Sequence, residues 1–179
     1  TLVSPDDVSY PAIPALNYAG WPSLPRFVFT PETMYRYGPL DFSDVPYRRA
    51  SDEEYVVQVS QVDADGNEIA GIRLPELTVP LGTHLGWSVM KEGSGFPDSC
   101  GQHGTFIPFA KTREERMTAG DPRPSLEERY GDEAAFAAKL ETAAIDLMEA
   151  GFLLQEDVDR IVRRVREHGF DYWKVPLPN

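Results

Sequence analysis

Residues 61–87, QVDADGNEIAGIRLPELTVPLGTHLGW, decide how we expect the chain to fold. A β-branched run ends in this stretch, and Asp65-Gly66 separates that run from the apolar residues that follow. Asp-Gly between apolar runs is a strong hairpin signal, because Gly adopts a positive φ without a Cβ clash. The stretch therefore predicts a β-hairpin turning at residues 65–67. Pro75 and Pro80 then predict a rigid extended arm leading to Trp87.

The first 50 residues combine frequent prolines with frequent aromatic residues. Prolines disfavour a helix both at their own position and at the residue before them. A disordered linker would be poor in aromatic residues. We therefore predict an extended arm over residues 1–50 that buries its rings against another surface. That surface is either this chain's own hairpin or a partner chain or domain.

The middle of the chain, residues 51–110, is predicted to form a small antiparallel sheet with loops. Residues 51–63 carry apolar side chains at both alternating positions, which indicates a strand covered on both faces. The hairpin at residues 65–67 would lie at the centre of this sheet.

The last part of the chain, residues 111–179, is predicted to be a helical cap. Thr112 with Glu115 and Ser125 with Glu128 have the spacing of capping boxes, so each pair predicts a helix start. A longer helix should follow Asp132, and a last helix should cover residues 156–168. The short connection between the two predicts an antiparallel helix pair, with Leu153 and Leu154 packed between them. The fold class is α+β, with the arm, the sheet and the cap forming one domain.

The composition is typical of a soluble globular protein, with 41% hydrophobic residues in 179. Lys and Arg number 17 against 29 Asp and Glu, which gives a formal net charge of −12. Such an acidic chain is not expected to bind nucleic acid or an anionic membrane surface. No apolar stretch is long enough to span a bilayer. The single cysteine, Cys100, excludes an intrachain disulfide and leaves the compartment undetermined.

No catalytic residue and no metal ligand set can be assigned from motifs. The nucleophile-elbow pattern G-x-S-x-G does not occur, and Gly93-Ser94-Gly95 has the wrong spacing for it. Cys100 and His103 have no second pair spaced to complete a zinc site. The acidic run at residues 63–68 fails as a calcium loop, because a glycine and a glutamate are missing at the required positions. We therefore predict neither a metal nor a cofactor.

The histidines are the remaining candidates for chemistry. His84 lies between Gly82 and Gly86, where a backbone can approach a ligand closely. Both a structural and a site-lining role remain open for His84 and for His103. His168 ends the last helix, where the helix dipole favours it, and is expected to be structural.

Three stretches together resemble the C-terminal region of a bacterial family of alpha/beta-hydrolase-domain proteins. They are VDADGNEIAGIRLPELTVPLGTHLGW (62–87), GTFIPFAKTREERMTAGDPRPSLEERYG (104–131) and LLQEDVDRIV (153–162). The resemblance implies hydrolysis of carboxylic esters by a serine enzyme. Members of that family are longer, and their nucleophile elbow precedes the matched region, so no triad residue transfers to this chain. Where relatives tend to carry a tyrosine, this sequence has His84.

Two functions follow from this resemblance and from the arm. In the first, the chain is the C-terminal part or a processed subunit of a serine esterase, and it lines or covers the pocket for a small ester. A second chain or a missing N-terminal hydrolase segment would carry the nucleophile, and Arg73, His84 and Trp87 would face the substrate. In the second, the chain is a non-catalytic interaction domain that docks through its aromatic arm. The residues alone leave open whether the chain is an enzyme.

Overall fold

The computed structural model describes residues 2–14, 40–43, 45–46, 48–49, 58–89, 100–101 and 103–174. Its short antiparallel strand pairs and its helices confirm the α+β class. The strands are β1 (Leu2–Val3), β2 (Leu40–Asp41), β3 (Arg48–Arg49), β4 (Val59–Ser60), β5 (Gly82–Leu85), β6 (Ser88–Val89), β7 (Cys100–Gly101) and β8 (Thr105–Pro108). The helices are α1 (Pro75–Thr78), α2 (Arg113–Ala119), α3 (Leu126–Tyr130), α4 (Glu133–Glu149) and α5 (Gln155–His168). Two 3-10 turns cover Pro5–Asp7 and Gly169–Lys174.

The predicted hairpin is present and is tightly closed. The backbone N–H of Asp63 donates to the carbonyl of Asn67 at 2.8 Å, and a bridge joins Val62 to Glu68. Gly66 has a φ of 83°, and a Cβ built there would lie 3.0 Å from the Thr83 Cγ2 atom. The turn thus needs glycine for its conformation and for close packing on β5.

The predicted extended path after the hairpin is wrong at Pro75. Pro75 begins the short helix α1, and the carbonyl of Leu74 accepts hydrogen bonds from the N–H groups of Leu77 and Thr78. Proline is well suited to the first position of a helix, because its missing N–H has no intrahelical partner there. The proline therefore starts a helical turn here instead of prolonging an extended segment.

The ribbon formed by β5 and β8 divides the core. Antiparallel pairing sets Thr83 opposite Ile107 and His84 opposite Phe106. Because side chains alternate along a strand, the two faces of the ribbon meet different partners. The helical cluster on one face contains Val79, Leu81, Phe109, Leu126, Phe136, Leu140, Val165 and Tyr172. The arm cluster on the other contains Val8, Tyr10, Ile13, Leu85 and Ile107.

The N-terminal part of the arm packs on its own chain, whereas the prediction that the arm buries its rings is wrong at Phe42, which is 72% exposed. Val8, Tyr10 and Ile13 are buried against the ribbon, and β1 pairs with β4. Residues 15–39 of the predicted arm and residues 51–57 of the predicted strand lie outside the described residues. A docking role for that part of the arm stays a prediction.

The helical cap follows the sequence prediction closely. Thr112 and Ser125 both form capping boxes, and the Asp132 carboxylate caps α4 by accepting from the Ala135 N–H at 2.8 Å. The helices α4 and α5 are antiparallel, since Met148 lies near Gln155 at one end and Glu141 pairs with Arg166 towards the other. None of the helices in the described segments is both long and apolar enough to cross a membrane.

The prediction for the α4–α5 connection is wrong at Leu154. Its side chain is 62% exposed instead of being packed between the helices. Leu154 is the N-cap residue of α5, and its carbonyl accepts from the N–H groups of Asp157 and Val158. That backbone role fixes the residue at the end of the pair, beyond the space between the helices.

Candidate functional site

A buried cluster of polar residues joins the hairpin, the ribbon and α3, and we call it the polar joint. Its members are Asp65, Asn67, Thr83, Asp121, Arg123 and Arg129. Three of them, Asn67, Thr83 and Arg123, are at most 2% exposed. Buried polar groups are tolerated when every donor and acceptor finds a partner, so the contacts decide what this cluster does.

Arg123 is the centre of the joint. Its Nε and Nη2 atoms donate to the Asp121 carboxylate at 3.0 and 2.6 Å. Its Nη1 atom donates to the Thr83 hydroxyl at 2.8 Å and to the Ile107 carbonyl at 3.0 Å. One guanidinium thereby holds both strands of the ribbon, which a single ammonium group could not do with the same geometry. Burial alone would raise the pKa of Asp121, but the hydrogen bonds and charge of Arg123 outweigh it and lower that pKa.

The hairpin attaches to the outer edge of β5 through the side chain of Asn67. Its Nδ2 atom donates to the Gly82 carbonyl at 3.1 Å, and its Oδ1 atom accepts from the His84 N–H at 2.8 Å. The amide thus pairs backbone groups on the side of β5 that faces away from β8. Asn67 therefore fixes the position of His84.

A second ion pair completes the joint. Arg129 binds both carboxylate oxygens of Asp65, and its guanidinium lies 4.0 Å from the ring centroid of Phe109. Bidentate pairing and stacking on an aromatic ring both suit a planar guanidinium. Residues of the two segments 62–67 and 121–129, which are far apart in the sequence, thus contact each other. Their contacts hold the ribbon in place.

Three aromatic side chains form a row on the ribbon, and we call them the aromatic row. The ring centroid of His84 lies 4.7 Å from that of Phe106, and Phe106 lies 4.7 Å from Trp173. Trp173 comes from the 3-10 turn after α5 and is 39% exposed. Burial lowers the pKa of His84, so its imidazole is held neutral at pH 7. The row offers a partly exposed surface of rings, and the Lys174 ammonium lies 5.4 Å from the ring centroid of Trp173.

The structure does not bring the three predicted site residues together. His84 lies in the aromatic row, whereas Trp87 packs edge-on against Tyr10 at 6.1 Å and lines the arm cluster. The Arg73 guanidinium donates to the Asp63 carboxylate at 3.0 Å and to the Leu77 carbonyl. These contacts join the hairpin to α1.

Sequence reasoning did not anticipate Phe106 and Trp173. Phe106 could have been found from the pairing of β5 with β8, had the register been known. Trp173 lies 89 positions after His84, and no local pattern links them.

The described residues contain no assembled nucleophile. Ser125 is buried, but its hydroxyl donates to Glu128 as part of the α3 capping box. The N–H of Ser125, together with Arg116, lowers the pKa of Glu128 to about 2. No serine hydroxyl within the described segments bonds to His84 or His103. Nor do those segments hold three His, Cys, Asp or Glu side chains grouped to bind a metal.

The chain belongs to the family described as alpha/beta hydrolase domain, whose model matches residues 19–163. This match confirms the resemblance noted in the sequence and covers the polar joint and two members of the aromatic row, His84 and Phe106. No curated protein and no solved structure matches the chain.

Proposed function

We propose that this chain is the C-terminal part or a processed subunit of a serine-type carboxylic-ester hydrolase. It lines or covers the substrate pocket, and the nucleophile lies on another segment or chain. Membership of the alpha/beta hydrolase domain family supports the reaction class. The observation that carries the proposal is the aromatic row, a partly exposed surface of rings, two of which lie on a ribbon held by the buried Arg123–Asp121 ion pair.

The role of the row is to contact the apolar part of an ester and to exclude water from it. Phe106 and Trp173 supply the apolar area, and neutral His84 adds a polar edge without the cost of a buried charge. The polar joint holds the two strands that carry His84 and Phe106, because Asn67 binds the backbone of β5 and Arg123 binds Thr83 on β5 and the Ile107 carbonyl on β8. A surface held in this way positions a substrate without entropy loss from its own side chains.

Arg73 and Trp87 support the site from a distance in this proposal. Arg73 holds α1 against the hairpin, and Trp87 holds the described part of the arm against the ribbon. The alternative, a non-catalytic interaction domain, docks through the aromatic arm of residues 1–50, of which residues 15–39 lie outside the described residues.

The test uses the purified chain with any polypeptide that co-purifies, assayed on p-nitrophenyl esters of increasing acyl length. We expect Trp173→Ala to raise KM about tenfold or more for long acyl chains with little change in kcat, as lost uniform binding does. Phe152→Ala is the matched control, because Phe152 is 56% exposed and lies at the α4–α5 connection. Equal effects of the two variants would show that the row does not contact substrate.

A fluorophosphonate probe tests the position of the nucleophile. We expect the labelled peptide to come from outside this chain. Labelling of a serine within these 179 residues would refute the proposal that the nucleophile lies on another segment or chain. If the assembly shows no labelling and no ester turnover, the proposed reaction class is refuted.

A further inference from the structure

A groove of about 560 Å³ runs between α4 and α5 and is lined by residues of both helices. We call it the α4–α5 groove. Its apolar residues are Ile145, Met148, Val158 and Val162, and its polar residues are Glu141, Gln155, Asp159, Arg163, Arg166 and Glu167. Ile145 is 36% exposed, although it belongs to an otherwise regular helix with a well-packed inner face.

The spacing of these residues places a second stripe on α4, beside its inner face, and a partly exposed stripe on α5. On α4, Glu141, Ile145 and Met148 are four and three residues apart, and on α5, Asp159 and Val162 continue the same spacing. Such spacing places side chains on one stripe, as in helix pairs that pack against further helices. On α4 this stripe lies beside the inner one that Phe136 and Leu140 fill, whereas on α5 Val162 lies between the buried Val158 and Val165, four and three residues away.

The charges in the groove are self-complementary. Asp159 and Arg163 lie one turn apart on α5, on either side of Val162. Asp159 accepts a hydrogen bond from the Gln155 amide at 2.9 Å, and neither Asp159 nor Arg163 has an oppositely charged partner among the described residues. A two-fold axis crossing α5 beside Val162 places each Asp159 opposite the Arg163 of the other copy. One symmetric contact would therefore pair both charges and cover Val162 and Ile145.

We propose that a second copy of this chain docks in the α4–α5 groove. The two antiparallel helix pairs would form a four-helix bundle with an isologous interface. The reciprocal placement of Asp159 and Arg163 favours a second copy over an unrelated helix, because a helix of another sequence would have no reason to match this charge order. None of the groove residues belongs to the aromatic row.

The experiment is sedimentation equilibrium of the full chain over about 1–100 μM. We expect a monomer–dimer equilibrium. Asp159→Arg should raise the dissociation constant about tenfold, because it sets an arginine opposite Arg163 of the other copy at two symmetric positions. The double variant Asp159→Arg/Arg163→Asp should recover the wild-type dissociation constant, since it exchanges the two signs. Asp146→Arg makes the same charge change on α4 outside the groove, so it should leave the constant unchanged.

A monomer throughout this range overturns the proposal. So does a dimer that Asp159→Arg and Asp146→Arg weaken equally, or a double variant weaker than the single one. Because the charge exchange restores the interface in a chain that carries both substitutions, simple misfolding cannot imitate the expected result. Far-UV circular dichroism of each variant confirms that α4 and α5 are intact. Ester turnover is not part of the readout, so failure here is independent of the proposed function.

Discussion

The substitution Arg123→Met tests whether the polar joint holds the ribbon together. Methionine keeps much of the volume of the arginine stem and removes every hydrogen bond made by the guanidinium. It removes the guanidinium donor from the Thr83 hydroxyl and the Ile107 carbonyl, and it leaves the Asp121 carboxylate with the backbone N–H of residue 123 but without its charged partner. Arg123 and Asp121 have side chains only 1% and 8% exposed, so water cannot replace those bonds without local opening.

Removing one member of a buried, hydrogen-bonded ion pair costs about 3–5 kcal/mol of unfolding free energy. For a chain of this length, about 2–4 °C of Tm is lost per kcal/mol, which gives a decrease of roughly 6–20 °C. The Arg160–Asp157 pair is the matched control, because its arginine is 51% exposed. Arg160→Met should cost less than about 1 kcal/mol, as exposed ion pairs do.

The assay is urea unfolding followed by tryptophan fluorescence, which reports on all three tryptophans, Trp87 and Trp173 among them. Asp121→Asn and the double variant Asp121→Asn/Arg123→Met complete a double-mutant cycle, in which the double variant should be less destabilised than the sum of the single ones. The folded-state pKa of Asp121 is lowered. The stability that its carboxylate contributes is therefore present above the usual aspartate pKa and is lost as pH falls through the folded-state pKa. Arg123→Met should therefore also reduce the loss of stability in acid. Equal midpoints for Arg123→Met and Arg160→Met would refute the structural role of the joint.

Three further predictions concern the ribbon and α3. A Cβ at Gly82 would lie 2.4 Å from the Ile107 carbonyl oxygen, so Gly82→Ala should lower the free energy of unfolding by about 1–3 kcal/mol. Gly86→Ala is the control, because a Cβ there meets no atom within 4 Å, and it should not change the urea midpoint. Because the pKa of Glu128 is lowered to about 2, the stability that its carboxylate contributes should be lost between about pH 4.5 and pH 2. Glu128→Gln should remove this pH-dependent loss of stability in an acid titration followed by circular dichroism. The pKa of His84 is lowered by burial, so the folded state binds fewer protons than the unfolded state and stability should fall as pH drops below about 6.5. His84→Phe should remove this decrease in thermal unfolding, and a decrease that persists in the variant would assign it to another group.

The helix starts and the hairpin turn could be predicted because their causes are local. The Thr112 and Ser125 capping boxes depend on side chains three residues apart, and the turn depends on the freedom of Gly66 to adopt a positive φ. The same local reasoning was wrong for Pro75, because a proline fits both an extended segment and the first position of a helix. Contacts beyond the local sequence decided which of these two conformations the segment adopts.

The aromatic row and the polar joint were decided by the tertiary structure. Asn67 meets β5 15 and 17 positions further along the chain, Arg123 meets Thr83 across 40, and Trp173 reaches Phe106 from the end of the helical cap. A charged Arg123 and a polar Asn67 would each be expected at the surface from their residue types alone. They are buried because Asp121 pairs the charge of Arg123 locally and groups from distant segments complete the hydrogen bonds of both side chains. Hydrogen bonds between distant segments leave no periodic signal in a sequence.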